Sequence, residues 1–242
     1  ILIFAIFAMS LDLLMGYTGI MSLGHAAFFG VAGYTTGILM IRYGIDNFWI
    51  GAPCGILSAG FTAAIFGIIV LKVRGIYCIL ITFAFGQLLY SVATKWRSVT
   101  NGDFGLWGIS RPDLGLPHFT WNTTYFYYFV FLAFVLCFFL LYRLTKSPFG
   151  LALQGIRDGE SRMQALSYNT WLYKYIAFIV AGMFAGAAGV LFVYHSGIIT
   201  PPSLAVMNSG FVMLMVIAGG IGTLYGPVIG AAVPVSYTHL RA

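Results

Sequence analysis

The chain alternates long apolar runs with short polar stretches. The runs lie at residues 1–15, 26–41, 48–71, 76–94, 125–142, 174–194 and 210–233, and they contain almost no charge. A helix crossing a hydrocarbon layer of about 30 Å needs about 20 mostly apolar residues. The pattern therefore predicts seven membrane spans, with the first cut short by the start of the chain and the second brief. The longest polar intervals, 95–124 and 143–173, are too short for a soluble domain. The expected fold is all-α: a polytopic transmembrane helix bundle with glycine-interrupted helices, forming one domain over residues 1–235. The chain begins without Met and is expected to be truncated at its N-terminus. Residues 236–242 abandon the apolar pattern and are read as a non-native tail.

Glycine recurs at helical spacing, as in Gly30/Gly33/Gly37, Gly182/Gly186/Gly189 and Gly219/Gly222/Gly226/Gly230. Small residues let helices approach closely in lipid, where apolar contact alone drives little association. The segment GYTGIMSLGH (16–25) is too short and too apolar for an ordinary solvent loop. Gly16, Gly19 and Gly24 would interrupt a helix there, facing a cavity as in transporters; a plain tight turn is the alternative.

Composition agrees with lipid as the solvent. Apolar and aromatic residues make up 60% of the chain and charged residues 7%, against about 25% charged in soluble domains. The excess of basic residues lies between apolar runs, which argues for membrane orientation rather than nucleic-acid binding. Arg143, Lys146, Arg157, Arg162 and Lys174 place 143–173 in the cytoplasm, and alternation puts Lys72 and Arg74 there as well. Arg42, Lys95, Arg97 and Arg111 then lie on the opposite side, with 95–124 and 195–208. Cys54, Cys78 and Cys137 stand singly in apolar stretches, which excludes a CxxC motif and argues against a disulfide framework.

The polar residues offer little chemistry. His25, His118, His195 and His239 are scattered without metal-ligand spacing. Ser22 and His25 are close in sequence, but no nucleophile elbow accompanies them. No catalytic residue, metal or cofactor is expected. Ion-coupled carriers place carboxylates within the membrane, and here the spans hold one, Asp12, for which a helix-capping or interhelical hydrogen bond is the plainer role. A secondary transporter or channel subunit remains the alternative reading. An external energy source explains the scarcity better. Ser147-Pro148 can start a helix in 143–173, with Phe149, Leu153, Ile156, Met163 and Leu166 along one side. Such a helix lies on the membrane or docks into a partner.

Four blocks carry a family resemblance: GYTGIMSLGHAAFFGVAGYT, RGIYCILITFAFGQL, SPFGLALQGIRDGESRMQAL with YKYIAFIVAGMFAGAAGVLF, and MLMVIAGGIGTLYGPVIGAAV. In this order they resemble LivM-type permeases, subunits of ATP-binding-cassette importers for branched-chain amino acids. The resemblance implies a permease without enzymatic activity in a bacterial or archaeal plasma membrane. Implied partners are ABC ATPase subunits that bind the ATP, a second related permease and an extracytoplasmic substrate-binding protein. It places Gly150, Ala152, Gly155, Arg157, Glu160 and Ala165 in the coupling region. The translocation path would be formed by Gly16, Ser22, Gly24, His25, Gly219, Gly220, Gly222, Thr223 and Gly226. Ser167, Arg162 and Met163 depart from the family's usual glycine and alanines.

Overall fold

Six of the seven predicted runs form single helical segments, and the seventh folds back on itself. The computed structural model describes residues 1–73, 75–113 and 122–239, with side chains described through residue 232. Arg74, His118 and residues 240–242 of the expected tail lie outside the described residues. The helices are α1 (Leu2–Asp12), α2 (His25–Tyr43), α3 (Phe48–Val70), α4 (Ile76–Lys95), α5 (Arg97–Thr100), α6 (Thr123–Lys146), α7 (Pro148–Ala165), α8 (Thr170–Ser196), α9 (Val206–Gly219) and α10 (Tyr225–His239). A two-stranded ladder, β1 (Leu106–Trp107) with β2 (Ile198–Ile199), is antiparallel.

The interior is assembled around α1 and α8. Ala5, Ile6, Ala8, Met9, Ser10 and Asp12 have no exposed surface, so α1 is a core helix surrounded by protein. At 27 residues, α8 is long enough to cross a membrane. It reaches α2 and α3 through its glycines. A methyl group at Gly182 would lie 2.5 Å from the Ala63 Cβ, and one at Gly186 would lie 2.6 Å from the Ala59 Cβ. At Gly189 it would overlap the Phe29 carbonyl. These close approaches are the packing that small residues permit in lipid.

The outer helices carry the opposite pattern. Leu57, Phe61 and Ile65 on α3, Leu80 and Leu88 on α4, and Leu132, Leu136 and Phe139 on α6 are exposed. Apolar side chains on that surface match a hydrocarbon surround. With four helices among the described residues long and apolar enough to cross a membrane, this is a multi-pass membrane protein.

The bundle has two distinct ends. At one, Phe48 N donates to Asp113 O at 2.9 Å and Asp113 N to Asp46 O at 2.8 Å. The β1–β2 ladder and a hydrogen bond from Arg42 to Ser98 O lie at this end too. At the other end Lys72, Arg157 and Lys174 line one cavity beside α7. The residues described in 95–113 and those in 143–173 thus fall at opposite ends, as the charge pattern predicts.

Within 195–208 the turn Pro201–Leu204 enters the bundle, and Leu204, 3% exposed, packs against Gly30. One expectation needs correction: 210–233 is not a single span. The 14 residues of α9 extend about 21 Å at 1.5 Å per residue, short of the ~30 Å hydrocarbon thickness. The chain then reverses, and α10 returns antiparallel with Gly226 against Gly219 and Gly230 against the Met215 carbonyl. Gly220 and Gly222, at φ 106° and 80°, make the reversal, a backbone conformation that glycine alone adopts cheaply.

Candidate functional site

The break after α1 begins as a widened π turn over Leu13–Thr18. Thr18 Oγ1 donates to Leu14 O at 2.6 Å, and Ile20 N donates to the same carbonyl at 3.0 Å. Gly19, at φ 72°, closes the turn in the left-handed region. Such turns free backbone groups and recur at functional sites. Gly16 lies inside this one, where a methyl group would sit 2.5 Å from the Gly222 amide nitrogen. Its carbonyl accepts a hydrogen bond from Arg157 Nη1.

The chain then passes through a short irregular segment into α2 and is held by side chains from elsewhere in the sequence. Leu23 N donates to Thr82 Oγ1 at 3.2 Å, and Gly24 lies against the Thr82 carbonyl, which leaves no room for a side chain. Ala26 N donates to Ser209 Oγ at 2.9 Å. Ser209, on α9, therefore supplies the cap that no residue before His25 provides.

His25 is fully buried, stacked on Phe7 with ring centres 5.5 Å apart and edge-on to Phe28. Its Nε2 is 2.8 Å from Ser10 Oγ, and Ser10 Oγ donates its proton to Phe7 O at 2.7 Å. The hydroxyl thus lies within hydrogen-bond reach of both the Phe7 carbonyl and the imidazole. Ser22 is buried in a narrow space with Gly24, Phe28 and Thr82.

At the α9–α10 reversal, Thr223 Oγ1 donates to Gly220 O at 2.9 Å and Gly226 N to Thr223 O at 3.0 Å. The Gly222 amide points into the bundle and donates to Asp12 Oδ1 at 2.8 Å. Gly219 and Gly226 meet backbone to backbone. Of this predicted group, Gly222 reaches the α1 break, whereas Thr223 stays in its own turn.

In α7, Ser147 accepts from Gly150 N at 3.4 Å and Pro148 occupies the first turn, a sequence-encoded start. Gly150 abuts the Thr145 carbonyl, and Ala152, Leu153 and Ile156 are buried. At Gly159 the backbone leaves helical geometry (φ −174°, ψ 82°) and folds the second half back, bringing Met163 Sδ within 2.9 Å of a methyl group at Gly155. The expected apolar stripe therefore does not run through. Leu166 is 67% exposed, because the kink resets the helical register after Ile156. Ala165 is exposed on this second half.

Glu160 and Lys174 form an ion pair at 2.9 Å, with side chains 23% and 17% exposed. Thr170 Oγ1 donates to Glu160 Oε1 at 3.3 Å, and Gln164 Nε2 donates to Thr170 Oγ1 at 3.1 Å. A network thus ties the C-terminal half of α7 to the start of α8. Together with the α1 break and the α3–α4 turn, it borders a cavity of about 680 Å³.

Three sequence blocks therefore converge on one junction. Gly16 from the early glycine segment, Gly222 from the late one and Arg157 from α7 meet around Asp12. Asp12 was legible as the single carboxylate in a span, but its partner 210 positions away was not. Ser10, Thr82 and Ser209 escaped sequence reasoning, because hydroxyls in apolar helices commonly bond their own backbone. Among the described residues, no three His, Cys, Asp or Glu side chains gather as a metal site.

A family model described as the permease component of the branched-chain amino acid transport system matches residues 1–240. The high-affinity branched-chain amino acid transport system permease protein LivM of Escherichia coli is 28% identical over 95% of this chain and 59% of its own length. Its Salmonella typhimurium counterpart is 27% identical over the same shares. A probable branched-chain amino acid transport permease protein LivM from Methanocaldococcus jannaschii is 25% identical over 94% of this chain and 75% of its own. The chain thus spans about three fifths of the two bacterial relatives. No solved structure matches.

Proposed function

From the premise that this chain belongs to the family of branched-chain amino acid transport permease components, we propose that it forms one half of the membrane path of an ATP-driven importer. The cargo is a branched-chain or related amino acid. Its companions are a second related permease, ABC ATPase subunits that bind and hydrolyse ATP, and an extracytoplasmic binding protein. The membrane is a bacterial or archaeal plasma membrane, with the α7 end facing the cytoplasm, where basic residues concentrate.

The observation that carries this reading is the junction of Arg157 with Gly16 and of Gly222 with Asp12. An ATPase docked on α7 would move Arg157, and through it the helix break that lines the path. Gly150, Ala152, Gly155 and Glu160 shape and brace this lever, and Ala165 lies on its exposed half. On the path side, Gly24, Ser22 and His25 fix the start of α2. Gly219, Gly220, Gly222, Thr223 and Gly226 form the reversal that Asp12 holds. The C-terminal ends of helices carry partial negative charge, and Arg157 meets the end of α1 with a guanidinium.

The test is purification of the tagged full-length protein from its host in mild detergent, with uptake measured in vesicles. Co-purification of an ABC ATPase and a second permease, with uptake dependent on ATP, is expected. Uptake driven by an ion gradient in an ATPase-free preparation would establish a secondary transporter and overturn the proposal.

A further inference from the structure

The cavity beside α7 combines surplus positive charge with an apolar wall at the level where spans end. It lies where α3 ends at Val70, α4 begins at Ile76 and α8 begins at Thr170. Lys72, Arg157 and Lys174 line it, with Glu160 as the facing acid. Glu160 pairs with Lys174, and Asp158 with Arg157 Nε at 3.0 Å. Lys72 is exposed on the α3–α4 turn and makes no ion pair among the described residues. The cavity therefore offers one uncompensated cation beside two that can turn a donor toward a ligand.

The rest of the wall is apolar. Ile20, Met21, Ile76, Ile79 and Trp171 border the same space. Ile76 and Tyr77 are each 67% exposed and Trp171 is 39% exposed, so the mouth continues into the lipid-facing surface of α4. Tryptophan at this depth marks the membrane–water interface. Basic pockets between helices on the cytoplasmic side suit anionic lipid headgroups. A free phosphate would use the cations and leave the apolar wall idle, whereas a phospholipid uses both.

We propose that this cavity binds an anionic phospholipid, its phosphodiester held by Lys72 with Arg157 and Lys174, and its acyl chains along Ile76 and Ile79. A headgroup there bridges the α3–α4 turn to α7 and α8. Lipid occupancy would then brace the segment that holds Arg157 against Gly16.

The experiment uses the full-length protein with its co-purifying subunits, delipidated and titrated with phosphatidylglycerol or phosphatidylcholine under native mass spectrometry. Phosphatidylglycerol is expected to bind more tightly, and Lys72→Gln to weaken it by about fivefold, the effect of one basic residue at an anionic surface. Lys72→Arg should retain binding, and Lys95→Gln, at the opposite end of the bundle, should leave it unchanged. Equal affinity for the two lipids, or Lys72→Gln binding like the parent, would overturn the site. Displacement of phosphatidylglycerol by millimolar inorganic phosphate would instead identify a soluble-anion site and overturn the lipid assignment.

Discussion

Asp12 Oδ1 accepts the Gly222 amide proton across 2.8 Å, joining the end of α1 to the α9–α10 reversal. The bond is possible because Gly222, at φ 80°, turns its amide inward and because Gly16 leaves space beside it. An unpaired buried donor costs about 1–3 kcal/mol. Asp12→Ala is therefore expected to lower both the melting temperature in detergent and substrate uptake. Asp12→Asn keeps an oxygen acceptor and should fall between that variant and the parent. Equal uptake by all three proteins would rule out a role for this contact.

Backbone contact at glycine gives a stability prediction. A methyl group at Gly189 would collide with the Phe29 carbonyl, whereas one at Gly210 would meet open space. Overpacking typically costs about 1–3 kcal/mol. Gly189→Ala should lower the thermal midpoint in detergent by several degrees, and Gly210→Ala should leave it unchanged. A neutral Gly189→Ala would show that α2 and α8 separate without penalty.

Arg157 tests the lever. Arg157→Ala removes the donor to Gly16 and is expected to leave ATP hydrolysis by the assembled complex largely intact while reducing substrate moved per ATP. Gly155→Trp should act in the same direction, because the space at Gly155 is filled by Met163. The readout is paired uptake and phosphate release in proteoliposomes. An unchanged ratio for both variants would remove α7 from the coupling path.

Ser10 and His25 form a structural pair. Interhelical hydrogen bonds in membranes average about 0.6 kcal/mol and reach about 1.7 kcal/mol. In a double-mutant cycle, Ser10→Ala and His25→Phe should destabilise less together than the sum of their separate effects. The KM for substrate should stay unchanged in each. A raised KM confined to His25→Phe would make this histidine a cargo contact.

Hydropathy made the spans legible because lipid selects for length and apolarity, and the boundaries of α3 and α4 fall within about a residue of the predicted runs. It could not reveal the α9–α10 reversal. Met213 to Ala232 is apolar on both sides of the turn, so the pattern is continuous where the backbone is not. The Gly159 kink in α7 left no trace either, since Met163 and Leu166 keep a plausible helical spacing across it. Of the candidate site, the glycines were legible and their meeting point was not. Asp12–Gly222 and Ala26–Ser209 depend on chain ends brought together by the whole bundle.

The close seating of Gly182 on Ala63, Gly186 on Ala59 and Gly189 on Phe29 has a mechanical corollary. Helices separated by long side chains can slide while rotamers adjust, but helices seated on one another's alanine methyl groups and main chain have no such slack. In the proposed importer, α2, α3 and α8 then travel as one rigid frame. There the stroke falls to the hairpin of α9 and α10, held to α1 by the Gly222–Asp12 bond, and to the broken end of α1, which meets α7 through Arg157; such hydrogen bonds can be exchanged. Spin labels on α2 and α8 should report one unchanging separation with and without ATP, while labels on α7 and α9 report two.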